Sequence, residues 1–236
     1  MEITRLRPDL FMLEPEFGQA YLWRDAGSLT LVDTGRAGSG EDIARAIGEL
    51  GFARGDLTRV VLTHFHEDHT GSAAEIRVWG GVTVMAHRVE APVIRGDVPG
   101  PPPVYASDWE RGLHAQVAAD LPPAPPCPVD HELEDGEVID FGGGAHVIFT
   151  PGHTHGSIAI HLPEAGVLFT GDTVAHHEGQ VILGVFNHDR AETIRSFQTL
   201  ATLRTTLACV GHGPPITGDV AKTLTATAAS FTSASS

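Results

Sequence analysis

The chain has 236 residues, and 30 acidic against 15 basic side chains give it a formal net charge of −15. That balance excludes a nucleic-acid surface built from clustered Lys and Arg, and Lys222 is the one lysine present. No apolar run is long enough for a membrane span. Charges and Pro8 interrupt the N-terminal stretch where a secretory signal would need its apolar segment. Cys127 and Cys209 are too few for a disulfide framework. A cytoplasmic protein with a small-molecule partner, and neither nucleic acid nor membrane, is expected.

In chain order, β-rich segments come first, at 18–23 and 28–33. Gly35, Gly38 and Gly40 mark a loop, and Ser39 with Asp42 resembles a capping box that opens a helix through Ile43, Ile47 and Leu50. A short apolar strand at 59–62 leads into the run Thr63-His64-Phe65-His66-Glu67-Asp68-His69-Thr70-Gly71, with a helix expected over 71–79 and a strand over 82–85. Residues 96–128 are framed by prolines around a helix that Ser107 and Glu110 would cap. This pattern suggests an inserted cap, because proline stiffens a segment without adding sheet hydrogen bonds. Strands follow at 137–140, 145–150, 157–162 and 167–170, then a helix at 190–204 capped by Asp189, and a last strand ending at Val210. The Ala/Ser/Thr-rich stretch 222–236 reads as a flexible tail. The expected organisation is one domain over 1–236, with strand clusters and helices in both halves as two packed sheets covered by helices.

Three imidazoles and two carboxylates fall within the six residues His64 to His69. Neutral imidazole and carboxylate are the usual ligands of transition metals, and this stretch offers enough for two ions. His64 and His66, two apart at a strand exit, can point the same way; Asp68 and His69 can face a neighbouring position. Further donors sit where later strands end: His153 on a Pro-Gly turn, Asp172 in Thr-Gly-Asp-Thr and His212 between two glycines. Strand-end loops are where α/β proteins collect functional groups.

Five segments in order carry a resemblance: Leu31-Val32-Asp33-Thr34-Gly35, the run from Thr63 to Gly71, Pro151-Gly152-His153-Thr154, Thr170-Gly171-Asp172-Thr173 and Gly211-His212-Gly213. With them the chain resembles the metallo-β-lactamase superfamily, in a small form similar to glyoxalase II or the lactonases. The resemblance implies an α/β fold, a four-layer αββα sandwich with the cap inserted. It implies one metal on His64, His66 and His153, a second on Asp68, His69 and His212, Asp172 bridging them, and Asp33 bracing the ligand loop. It also implies two divalent ions, zinc first with iron or manganese as alternatives, whose bridging hydroxide would cleave a carboxylic ester, thioester or lactone. Asp68 and Asp172 are then the catalytic carboxylates, and Asp68 orients the hydroxide.

Departures from the family's specialised branches narrow the choice. Asp172 stands where true β-lactamases of this type commonly carry a cysteine, and Ala175 stands where acyl-homoserine lactonases carry a tyrosine. His66 is kept where the diiron flavoproteins have glutamate, and the chain lacks the length for the C-terminal helical domain of glyoxalase II. A small-molecule hydrolase is the expectation. Its rivals are a mononuclear Fe(II) oxidoreductase similar to persulfide dioxygenases, held by His64, His153 and Asp172, and a non-catalytic metal-binding domain. His155, His176 and His177 are candidates for the substrate pocket, where either of the last two could donate a proton to the leaving group. A homodimer is a further candidate partner state.

Overall fold

The computed structural model describes residues 1–15 and 17–233. Backbone contacts divide the chain into two compact units, Met1–Gly100 with Ala119–Leu133, and Pro101–Ala118 with Glu134–Ser236. The 96–128 stretch expected as a cap therefore divides, and its helical part belongs to the second unit.

The first unit contains β1 (Glu2–Arg7), β2 (Leu10–Glu14), β3 (Ala20–Asp25), β4 (Ser28–Val32), α1 (Gly40–Glu49), β5 (Leu57–Leu62), α2 (Glu67–Thr70), α3 (Ala73–Arg77), β6 (Thr83–His87), α4 (Ala91–Ile94) and β7 (His131–Leu133). Its seven strands lie in sequence order in one sheet. β1 to β4 pair antiparallel, and β4 to β7 pair parallel. The change of direction follows the connections. Short turns link the antiparallel strands, whereas α1 and the α2–α3 segment cross over between parallel ones. β4 and β5 bury Leu29, Leu31, Leu57, Val60 and Leu62 almost completely in one core, and the alternate residues Thr30, Val32 and Val61 are buried too, as in central strands. Ile43 and Ile47, one turn apart on α1, and Ile76 on α3 pack into the same core. Each such side chain contributes about 1.5–3 kcal/mol of burial.

The second unit contains α5 (Asp108–Val117), β8 (Val138–Ile139), β9 (Ala145–Phe149), β10 (Ile158–Leu162), β11 (Val167–Phe169), β12 (Val174–His177), β13 (Gln180–Leu183), α6 (Arg190–Leu200), β14 (Leu207–Cys209) and α7 (Val220–Ser233). Its five-stranded sheet runs β14-β11-β10-β9-β8, with β12 and β13 as a separate hairpin. β14 lies parallel to β11, and the other pairs are antiparallel. Leu168, Val174, Phe197, Leu200, Val210 and Leu224 share its core.

Several local expectations change. The helix expected over 71–79 forms only as the shorter α3, Ala73–Arg77, and α2 precedes it within the donor run at Glu67–Thr70. Gly71 keeps helical angles, φ −54° and ψ −39°, and the break falls at Ser72, φ −100° and ψ 6°, whose Oγ donates to the Arg36 carbonyl and accepts from Ser39 N–H. The Ser39–Asp42 capping box does not form: Ser39 makes no side-chain cap bond. Glu75 accepts from the Gly38 and Gly40 amides instead, and Ser72 Oγ accepts from Ser39 N–H. Ser107 and Asp189 do cap α5 and α6, accepting from Glu110 and Glu192 amides. Where the sequence suggests a flexible tail from 222, α7 runs to Ser233, burying Leu224 and Ala228 and setting Phe231 edge-on to Phe197 at 5.2 Å. Its small residues let it sit close, and three apolar ones one turn apart anchor it; residues 234–236 lie outside the described residues. Among the described residues no helix is long and apolar enough to cross a membrane.

Candidate metal centre

β5 ends at Leu62 and hands the chain to Thr63 and the donor run. His64 and His69 are fully buried, and Asp33 beside them is 3% exposed. Asp33 follows β4 with φ +59°, a left-handed conformation that Asp tolerates better than most residues at about 1 kcal/mol or more. That backbone turns its carboxylate into the loop. Oδ1 accepts from Thr63 N–H at 2.8 Å, and Oδ2 accepts from Thr63 Oγ1 at 2.8 Å and faces His69 Nδ1 at 2.9 Å.

These bonds fix two tautomers. A carboxylate accepts, so His69 carries its hydrogen on Nδ1 and leaves a lone pair on Nε2. Thr63 Oγ1 has given its hydrogen to Asp33. It therefore accepts from His64 Nδ1, 3.0 Å away, and His64 too presents a bare Nε2. His64 Nε2 lies 3.1 Å from His66 Nδ1, and His69 Nε2 lies 3.7 Å from Asp68 Oδ2. Two nitrogens about 2.0–2.1 Å from a tetrahedral ion are about 3.3 Å apart, so the first pair has the spacing of a chelate. Two features tighten the loop from outside. Glu90, 1% exposed, accepts from Phe65 N–H at 2.8 Å. Gly18, at φ +67°, lies so close to the Asp68 carbonyl that no Cβ would fit.

The second unit gathers the other three donors. Asp172 lies in the helical turn after β11, His153 in the turn between β9 and β10, and His212 in the turn after β14. Asp172 Oδ2 is 3.2 Å from His212 Nε2 and 3.6 Å from His153 Nε2, so one carboxylate oxygen faces both imidazoles. His153 is 1% exposed, whereas the His212 side chain is 43% exposed.

A hairpin that the sequence reading passed over, β12–β13, together with the loop after it, holds all three turns. His176 N–H donates to the His212 carbonyl at 3.0 Å. Gly184 N–H donates to Thr173 O, and a Cβ at Gly184 would overlap the Asp172 carbonyl. His188 N–H donates to the His153 carbonyl at 3.2 Å, and Asp189 N–H to Gly152 O at 2.9 Å. Burial, then the neighbouring His155 and His153, push the His188 imidazole down to about 4.

The remaining candidates divide. His155 is exposed, its ring 5.3 Å from His188. His176 points Nδ1 at the Pro214 carbonyl, 2.8 Å away. His177 is 62% exposed and lies 3.9 Å from Glu178. Thr63, Glu90 and His188 were missed by sequence reasoning. Thr63 heads the donor run, but its bond to His64 depends on Asp33 across the sheet; nothing near Glu90 in the chain signals its role.

The donor set fits divalent transition metals. It consists of imidazoles, with the tautomers of His64 and His69 fixed, and carboxylates opposite them, the combination that binds zinc and iron.

A model of the metallo-beta-lactamase superfamily matches residues 13–212. A hydroxyacylglutathione hydrolase of Cereibacter sphaeroides is 31% identical over 82% of this chain, which spans only 61% of that relative's length. A probable metallo-hydrolase of Bacillus subtilis, YflN, is also 31% identical, over 81% of this chain and 77% of its own. Among solved structures, the metallo-beta-lactamase family protein TTHA1429 of Thermus thermophilus superposes with a TM-score of 0.70 at 24% identity, covering 98% of this chain and 80% of its own. TTHA1623, in a di-iron-bound form, superposes with a TM-score of 0.65 at 26% identity over 87% of this chain and 92% of its own. The fold is thus the metallo-beta-lactamase fold, α/β with two mixed sheets, and the chain belongs to the metallo-beta-lactamase superfamily.

Proposed function

We propose that the protein is a metal-dependent hydrolase of a small-molecule carboxylic ester, thioester or lactone. His64, His66 and His153 would hold one ion, Asp68, His69 and His212 a second, and Asp172 would serve both. The observation that carries this reading is the paired tautomer of His64 and His69, set by Asp33 in a buried network that makes both Nε2 atoms acceptors.

Two divalent ions, when bound, lower the pKa of water toward neutrality and polarise a substrate carbonyl. The chain's own groups have separate tasks. Asp33 holds the imidazole tautomers. Asp68, only partly buried, accepts a hydrogen bond from the attacking water and orients it toward the carbonyl. Asp172 offsets positive charge between the two imidazoles that it faces. Hydrolysis adds water across the acyl bond, giving an acid and an alcohol or thiol. Thioesters head the list of substrates because relatives at 31% identity are named hydroxyacylglutathione hydrolases.

The test is turnover of glutathione thioesters, aryl esters and lactones by protein stripped of metal and reloaded with zinc, iron or manganese. Hydrolysis should vanish on stripping, return on reloading and fail in Asp172→Ala. One iron per chain with oxygen uptake and no hydrolysis would replace this reading with the oxidoreductase. Two bound ions with no turnover of any substrate would favour a binding domain.

A further inference from the structure

We infer that His176 is a positioning residue for His212, holding the turn from which that imidazole would reach a metal; the inference rests on the reading of His212 as a ligand. His176 grips this turn at two points. Its main-chain N–H donates to the His212 carbonyl at 3.0 Å. Its ring Nδ1 lies 2.8 Å from the Pro214 carbonyl oxygen, which can only accept, so Nδ1 carries the hydrogen and donates. Gly213 lies between the two anchors at φ +91°, where a Cβ would overlap the His176 carbonyl. Hairpin strand and ligand turn are therefore in direct backbone contact, stitched on both sides of Gly213.

Such a brace matters more for His212 than for the buried proposed imidazole ligands. His64, His69 and His153 are at most 1% exposed, and His64 and His69 are also held by Thr63 and Asp33. The His212 side chain is 43% exposed, so packing restrains it less and the backbone that carries it contributes more to its direction. Partners bonded to a ligand side chain typically change metal affinity by about 10–100-fold, and a brace on the ligand's turn is expected at the lower end of that range. The assignment also removes His176 Nδ1 from the candidates for leaving-group acid, since its hydrogen is already committed to Pro214.

The experiment titrates metal-free protein with Co²⁺, reading the visible bands at each equivalent and the affinities by Zn²⁺ competition. Wild type is compared with His176→Ala, His176→Asn and His212→Ala, and melting of each metal-free protein is recorded. In His176→Ala the second equivalent should weaken about 10-fold or more, with the first equivalent and the metal-free melting unchanged. His176→Asn, whose amide can still donate near Pro214, should recover most of the loss. A normal second equivalent in His176→Ala, alongside its loss in His212→Ala, overturns this inference and leaves the proposed function standing. A second equivalent untouched by His212→Ala overturns the ligand assignment itself. Equal weakening of both equivalents with lowered melting makes His176 merely structural and also overturns the inference.

Discussion

The two donor clusters are held by different means. In the first unit one buried carboxylate does most of the bracing: Asp33 binds Thr63 twice and His69 once, and through Thr63 it reaches His64. In the second unit the main chain carries the task. N–H groups of the β12–β13 hairpin and its following loop bind the turns that carry Asp172, His153 and His212. Side-chain bracing concentrates control in one residue, whereas backbone bracing distributes it along a segment. The first should fail abruptly on substitution, and the second mainly where a side chain forces two backbones apart or, as at His176, adds its own bond to a turn.

The largest effect is expected from Asp33→Ala. It strands three donors in a buried site at about 1–3 kcal/mol each, so about 3 kcal/mol or more of stability should be lost. Metal content should fall at both proposed positions. Urea denaturation and metal analysis check this, and an unchanged metal content would break the comparison. Next comes Gly184→Ala, whose Cβ would overlap the Asp172 carbonyl. A backbone shift costing about 1–3 kcal/mol is expected, with loss of the metal that Asp172 shares. Gly48→Ala, where nothing lies within 4 Å of the new Cβ, is the control that should cost nothing.

A smaller effect is expected from Glu90→Gln. The amide oxygen can still accept from Phe65 N–H but without charge, so about 1 kcal/mol should be lost, read from the denaturation midpoint. Wild-type affinity for the first metal equivalent in this variant would assign Glu90 to stability alone. Smallest is a pH effect away from the ligands. Burial holds the His161 imidazole below its ordinary value, partly offset by its bond to the Arg204 carbonyl, and His146 opposite it on β9 pushes the same way as burial. The folded state thus binds fewer protons than the unfolded one. This contribution is fully present above about pH 6.5 and fades as the pH falls below it. The urea midpoint should drop between pH 7 and pH 5, and His161→Gln should flatten that slope.

Much of this was legible in the residues. Asp33 as a brace of the donor run came from the family resemblance, whereas the donor run itself and the strand-end positions of His153, Asp172 and His212 came from motifs whose chemistry depends on residue type and spacing. So did most of the strands between 18 and 33 and between 145 and 170, where apolar runs are bounded by turns. What was not legible depends on approach in space. Ser72, where the expected helix breaks, bonds to Arg36 and Ser39 far away in the chain, and Glu75 rather than Asp42 serves the start of α1. The hairpin at Val174–Leu183 carries two histidines that drew attention as chemical groups. One of them instead ties down a turn 38 residues later.

Asp33 has one more consequence. Under the proposed assignment, His64 belongs to one ion and His69 to the other, yet a single acid sets the lone pairs of both. The pair is then governed like two doors on one latch: no substitution at position 33 can spoil one ion's seat and spare its neighbour's. Asparagine tolerates the required backbone but brings an amide where three donors converge, and glycine accepts the backbone but brings no oxygen at all. The position should therefore admit no replacement that keeps either ion.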